Sequence, residues 1–232
     1  MRDSTARVTA STRLVGLIGW PVSHSRSPAM QNAAFAATGL DWAYVALPVE
    51  AERVEQAVRG LVALGFAGAN VTAPHKIAVA RLVEADLPSV NTLVVRDGRL
   101  EGHSTDAAVL AGLETGRAAI LGSGGAAEAF AFALPQAERF SRRDRWPPNV
   151  GDCELVVNAT SERDDVLVEL TAGQTLVDLP YPLTATALHA KEAGARVVDG
   201  LETLVAQGAA AFGLWTGLPA PVDVMRAAVR SA

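Results

Sequence analysis

Short unbroken apolar runs, each followed by a stretch with helical spacing, constrain this chain most. Leu14-Val15-Gly16-Leu17-Ile18 has no polar break, the pattern of a strand buried on both faces. Pro28 suits the first turn of a helix, Met30 to Thr38 is helical in composition, and Gly39 stops it. Trp42 to Leu47 reads as a second strand. Glu50 to Leu64 sets Val54, Ala57, Val58, Leu61 and Val62 on one helical face. Gly65 to Ala69 reads as a third buried strand, and Ile77 to Val83 again has helical spacing. This β-α-β-α-β alternation predicts a parallel sheet with helices on its faces.

Between the third strand and its helix lies Asn70-Val71-Thr72-Ala73-Pro74-His75-Lys76, read as a strand-to-helix loop. In open α/β sheets ligands bind at the carboxyl ends of strands, where such loops lie. Asn70 and Thr72 can hydrogen-bond substrate hydroxyls, and Lys76 can stabilise an oxyanion or move a proton. An ordinary polar loop with a solvated lysine would read the same way.

Val90 to Val95 and Arg99 to His103 flank Asp97-Gly98, a hairpin signal. Ser104-Thr105-Asp106 then leads into a helix expected over Ala107 to Leu113. A second unit begins near Arg117. Ala118 to Leu121 is a buried strand, Gly122-Ser123-Gly124-Gly125-Ala126 a glycine-rich turn, and Glu128 to Leu134 an apolar helix. That order suits a nucleotide-phosphate loop, with glycines admitting a pyrophosphate close to the backbone and a helix N-terminus supplying N–H groups. A plain turn is the alternative.

Ala137 to Ser141 reads as the next strand, followed by a cluster that includes Arg142 and Arg143 in an otherwise acidic protein. Arginines there favour NADP, through its 2′-phosphate, while Asp144 leaves room for NAD. Leu155 to Val157, Leu176 to Leu179 and Arg196 to Val198 are further strands, with a helix from Thr184 to Ala193. Leu201 to Leu214 is an apolar helix interrupted by Gln207 and Gly208, and Pro221 to Arg230 is a last helix. Gln207 either faces solvent or offers a bidentate amide to a ligand.

With 232 residues, half of them hydrophobic and 19% charged, the chain can bury a substantial core in one large domain or two small ones. A net charge of −5 argues against nucleic-acid partners. The lone Cys153 fits a reducing compartment. No apolar run reaches transmembrane length, and polar Met1 to Ser11 reads as a frayed tail rather than a secretory signal. The expectation is a soluble cytoplasmic protein without membrane partners. His24, His75, His103 and His189 are scattered, so no metal site is expected.

Eight segments in register resemble the shikimate dehydrogenase family. They are Gly19 to Pro28 (G-x-P-x-x-H-S-x-S-P), Asn70 to Lys76 (N-V-T-x-P-x-K), Ser89 to Thr92, Gly102 to Asp106, Gly122 to Ala126, Asn158 to Ser161 (N-A-T-S), Asp178 to Tyr181, and Gly200 to Gln207 with Trp215-Thr216-Gly217. The resemblance implies an α/β fold with a substrate-binding and catalytic domain over 12–106. A trimmed Rossmann-like nicotinamide domain would follow over 107–200, and C-terminal helices over 201–232 would return to the first. It implies NADP-dependent reduction of 3-dehydroshikimate to shikimate, a step of chorismate and aromatic amino acid biosynthesis, by a monomer or homodimer.

By the same resemblance Lys76 and Asp106 are the catalytic pair. Ser23 and Ser25 bind the substrate carboxylate, and Asn70, Thr72, Asn91, Tyr181 and Gln207 hold its hydroxyls or the carboxylate. Gly122, Ser123, Gly124, Gly125, Ala126, Arg142, Arg143, Asn158, Thr160 and Gly200 serve the cofactor. A lysine touching both the reacting oxygen and a carboxylate can move the proton in either direction.

The chain departs from the family at Ser104, where asparagine is usual, at Gln31, where histidine is usual, and in the short stretch between Lys76 and Asn91. The largest departure is Trp146 to Glu154, where a helix and a strand are normally found. A quinate or aminoshikimate dehydrogenase using NAD, and a non-catalytic shikimate-binding homologue, are the alternative readings.

Overall fold

The computed structural model describes residues 8–232; Met1 to Arg7 of the polar N-terminal stretch lie outside the described residues. The chain divides into two units. The first runs to Asp86 and adds Val90–Thr105 and Gly208–Ala232; the second comprises Leu87–Ser89 and Asp106–Gln207.

In the first unit, β1 (Arg13–Gly19), β2 (Trp42–Pro48) and β3 (Gly68–Val71) are parallel, and β4 (Thr92–Arg96) and β5 (Arg99–His103) add an antiparallel hairpin. The order is β2-β1-β3-β4-β5. Asp97 and Gly98 both take positive φ, 49° and 73°, which matches a two-residue turn to the twist of the flanking strands. The helices are α1 (Ser27–Ala37), with Pro28 in its first turn, α2 (Val54–Ala63) and α3 (Lys76–Leu82). α2 buries Val54, Val58 and Leu61, as its spacing requires. A separate 3-10 turn, Ala51–Arg53, precedes it, so the expected single helix from Glu50 begins later.

Three other expectations are corrected here. Asn70 and Val71 are the last residues of β3, and the loop is only Thr72 to His75. The helix expected over Ala107 to Leu113 is a 3-10 turn, Asp106–Leu110, and Gly112 leaves it with φ at 82°. The apolar helix is unbroken: α6 spans Gly200–Thr216 straight through Gln207 and Gly208. Gly208 is a point of close approach, since a Cβ there would overlap the terminal methyl of Met30 on α1. Phe35 of α1 and Phe212 of α6 stack beside it with ring centroids 5.7 Å apart. α7 (Val222–Ser231) packs on α1 with Met225 and Val229 buried, and Arg26 Nη1 donates to the Val229 carbonyl at 2.6 Å.

The second unit holds a parallel sheet in the order β10-β9-β8-β6-β7. Its strands are β6 (Ala118–Leu121), β7 (Glu138–Phe140), β8 (Leu155–Asn158), β9 (Thr175–Asp178) and β10 (Arg196–Val198). α4 (Gly125–Ala133) links β6 to β7, and α5 (Ala185–Glu192) links β9 to β10. No helix links β7 to β8, or β8 to β9. One sheet face is covered by Ala127 and Phe130 of α4 and Val109 of the 3-10 turn. The other takes Ala187 and Ala190 of α5 together with irregular chain: Val150, Cys153, Leu167, Val168 and Leu170.

Irregular chain on a buried face must satisfy its own peptide groups. Gln174, itself buried, does much of this. Its Nε2 donates to the carbonyls of Val150 (2.9 Å) and Cys153 (2.7 Å), and its Oε1 accepts from Thr171 N at 2.8 Å. Thr186 Oγ1 likewise accepts from Leu167 N at 2.9 Å.

Candidate functional site

In the first unit the carboxyl ends of β2, β1 and β3 are tied by their own backbones. Thr72 N donates to the Ile18 carbonyl at 2.8 Å, Trp20 N to Ala73 at 3.1 Å, and Val49 N to Gly19 at 3.0 Å. His75, buried, is within 2.7 Å of the Val49 carbonyl through Nε2, so that nitrogen carries the proton. His75 therefore locks the loop in place. Gly19 admits the arrangement because a Cβ there would overlap Thr72 Cγ2. Ser23 is exposed, Ser25 half-buried with its Oγ accepting from Ser27 N at 3.2 Å, and Thr72 and Lys76 half-buried. All four leave the same end of the sheet, and Lys76 is the first residue of α3.

Asn70 and Asn91 form a connected polar network on β3 and the approach to β4. Asn70 Nδ2 donates to the Asn91 carbonyl (3.1 Å) and to Thr92 Oγ1 (3.0 Å), and its Oδ1 accepts from the Tyr44 hydroxyl at 2.8 Å. Asn91, 1% exposed, accepts Thr105 N on Oδ1 at 2.7 Å and donates from Nδ2 to Thr105 Oγ1 at 3.0 Å. These amides tie β3, the approach to β4 and Thr105 together. Trp215 rests on Gly68 of β3, donates from Nε1 to the Leu93 carbonyl at 2.9 Å, and lies 6.1 Å from the Tyr44 ring. Sequence reasoning does not single out Tyr44, and Thr92 and Trp215 enter it only as members of the family segments, with no role given to them. A tyrosine in a buried strand needs a hydroxyl partner, and that is the signal Tyr44 offers.

In the second unit β6 lies between β7 and β8, so the chain leaves the sheet centre in opposite directions. The crevice at the carboxyl ends of β6 and β8 is a topological switch point. Gly122 to Gly125 and Asn158 to Ser161 occupy it. Gly122 has φ at 123°, and a Cβ there would come within 2.8 Å of the Ala159 carbonyl, so the two loops touch. A Cβ on Gly124 would meet nothing within 4 Å, and no side chain caps α4. An open glycine turn with an uncapped nine-residue helix beyond it fits a dinucleotide's phosphates.

Asn158 donates to Asp178 Oδ1 at 2.7 Å and accepts from both the backbone N (3.1 Å) and hydroxyl (2.7 Å) of Thr160. Burial pushes the Asp178 carboxyl above its ordinary range, against hydrogen bonds from Asn158 and Thr184. Gly200 opens α6 where a Cβ would overlap the Pro180 carbonyl, and Asp199 Oδ1 accepts from the next two amides, Leu201 N and Glu202 N. Asp106, 4% exposed, heads the 3-10 turn of this unit, while Tyr181 and Gln207 are half-buried.

Beyond β7, Arg142 and Arg143 are both exposed. Arg142 Nη2 lies 3.5 Å from Glu162 Oε2 and 3.4 Å from Asp165 Oδ2. Arg145 pairs with Glu138 at 2.9 Å, and Arg139 with Glu128. Among the described residues no ion pair engages Arg143. No helix of the described residues is long and apolar enough to cross a membrane.

Comparison with known proteins follows the same lines. The family profile described as "Shikimate dehydrogenase substrate binding domain" matches residues 17–93, and "Shikimate 5'-dehydrogenase C-terminal domain" matches residues 200–230. A shikimate dehydrogenase (NADP(+)) from Anaeromyxobacter sp. (strain Fw109-5) is 41% identical over 271 aligned positions, covering 96% of this chain and 97% of the relative. That stretch exceeds the 232 residues of this chain, so the relative carries segments this chain lacks. Another of that name from Moorella thermoacetica is 41% identical over 97% of this chain and 95% of its own. Among solved structures, shikimate 5-dehydrogenase from Thermus thermophilus in complex with NADP(H) and shikimate superposes with a TM-score of 0.84 at 32% identity, covering 95% and 99% of the two chains.

Proposed function

Since the chain belongs to the shikimate dehydrogenase family, we propose that it catalyses the reversible, NADP-dependent reduction of 3-dehydroshikimate to shikimate. The observation that carries this reading is the open glycine turn and uncapped α4 at the switch point, in a chain that aligns end to end with NADP-dependent relatives. When bound, NADPH would supply the hydride for the ring carbon bearing the reacting oxygen, and NADP⁺ would take it back on oxidation.

The remaining chemistry falls to the chain. Lys76 gives a proton to the carbonyl oxygen as the ketone is reduced and takes it back on oxidation, with Asp106 as the carboxylate that holds its ammonium. Ser23 and Ser25 hold the substrate carboxylate. Asn70, Thr72, Asn91, Tyr181 and Gln207 orient the ring through its hydroxyls and carboxylate. The loop Gly122, Ser123, Gly124, Gly125 and Ala126 takes the phosphates on backbone N–H groups. Arg142 and Arg143 meet the 2′-phosphate, and Asn158, Thr160 and Gly200 line the rest of the nucleotide. Residues 12–106 are then the substrate domain, 107–200 the shortened NADP domain and 201–232 the C-terminal helices. The setting is the cytoplasm, in aromatic amino acid biosynthesis.

The test is absorbance at the reduced-nicotinamide band with shikimate and NADP⁺, repeated with NAD⁺ and with quinate. Turnover with shikimate and NADP⁺ that falls about 10²- to 10⁴-fold in Lys76→Ala is the expected result. Equal turnover in the variant would remove Lys76 from the mechanism. No turnover from folded protein with any pair would overturn the reading.

A further inference from the structure

We propose that Glu162, helped by Asp165, is a built-in counter-ion to Arg142 that limits how strongly this chain prefers a nucleotide carrying a 2′-phosphate over one without it. The inference rests on the NADP reading above.

Glu162 is anchored by its own turn. Its Oε1 accepts from Arg163 N at 3.0 Å and Asp164 N at 3.1 Å, and its backbone N donates to Thr160 Oγ1 at 3.2 Å. Thr160 is in turn fixed on Asn158 at the end of β8. One carboxylate oxygen is therefore held by backbone, and the other stands 3.5 Å from Arg142 Nη2. Asp165 approaches the same nitrogen at 3.4 Å.

Three of the four arginines after and along β7 thus already face carboxylates: Arg139, Arg142 and Arg145. Arg143 is the one whose guanidinium enters no ion pair among the described residues. A phosphate arriving at this edge meets Arg143 directly. It meets Arg142 only by displacing or sharing two acidic groups, whose charge also repels it. A nucleotide ending in a bare ribose incurs neither cost.

The experiment is titration of the full chain with 2′,5′-ADP and with 5′-AMP, followed calorimetrically. Glu162→Gln keeps an amide oxygen for the Arg163 and Asp164 N–H groups while removing the charge, and Asp165→Asn does the same for its neighbour. The double variant is expected to bind 2′,5′-ADP about three- to ten-fold more tightly with 5′-AMP unchanged. The gain should disappear in an Arg142→Ala background, and Arg143→Ala alone should cost more 2′,5′-ADP affinity than Arg142→Ala alone. An unchanged ratio of the two affinities, an equal change for both nucleotides, or a gain that survives Arg142→Ala would overturn the proposal and leave the NADP reading standing. An unaltered chain that binds neither nucleotide would overturn both.

Discussion

The Asn158 side-chain amide donates to the Asp178 carboxylate across 2.7 Å, and both side chains are fully buried on adjacent parallel strands. Asp178 thereby fixes which way Asn158 points, and Asn158 in turn holds Thr160. Desolvation raises the folded-state pKa of Asp178, outweighing the hydrogen bonds that lower it. The native state then holds this proton more tightly than the unfolded chain. Its contribution to stability is full below the ordinary carboxylate value and is lost as pH rises through the raised one. Asp178→Asn removes that loss. The difference in Tm between variant and parent should shift in the variant's favour from about pH 4 to neutrality. A pH-independent difference would contradict this.

The glycines of the first loop should separate by role. Gly122→Ala places a side chain at φ 123° and against the Ala159 carbonyl, so it should lower stability by about 1–3 kcal/mol. Gly124→Ala meets nothing in the protein and should leave Tm nearly unchanged, yet weaken nucleotide binding by obstructing the backbone's approach to phosphate. Thermal melts and nucleotide titrations of both variants check the contrast.

Gly68→Ala should dislodge Trp215. The added methyl would overlap the Leu93 carbonyl and the indole at once, cutting the 2.9 Å hydrogen bond between them. A red shift in tryptophan emission with a stability loss on the order of 2–4 kcal/mol is expected. Unchanged emission would mean that the indole can relax in place.

Gln174→Leu keeps the bulk and removes four hydrogen bonds, leaving the Cys153 carbonyl and Thr171 N without their partner and the Val150 carbonyl with only the Cys153 N–H. Each buried group left unpaired costs about 1–3 kcal/mol. Denaturant unfolding should show a loss of at least about 2 kcal/mol, with the near-ultraviolet signal of Trp146, packed in the same cluster, changing first.

Much of the fold is readable in the chain. Runs such as Ala118 to Leu121 and Leu14 to Ile18 are apolar because both sheet faces are covered, so composition alone identifies them as strands. The Asp97-Gly98 turn is legible because few residue pairs tolerate two positive φ angles. Asn70 reads as loop because an amide is unexpected in a buried strand. It belongs there because Tyr44, Asn91 and Thr92 satisfy it, and these lie far along the chain. Gly208 reads as a helix break for the same reason: Met30, 178 positions earlier, is what it accommodates. Motif residues announce themselves by turn chemistry. Glu162 and Gln174, whose roles depend on which distant groups they meet, do not.

The crossovers around β8 carry a last consequence. A helix distributes its backbone satisfaction over many interchangeable bonds, so losing one is tolerated. Where this unit dispenses with helices, a single glutamine and a few hydroxyls answer for whole segments. The shorter fold has exchanged redundancy for economy, and its mutational fragility is concentrated at a few side chains rather than spread across secondary structure.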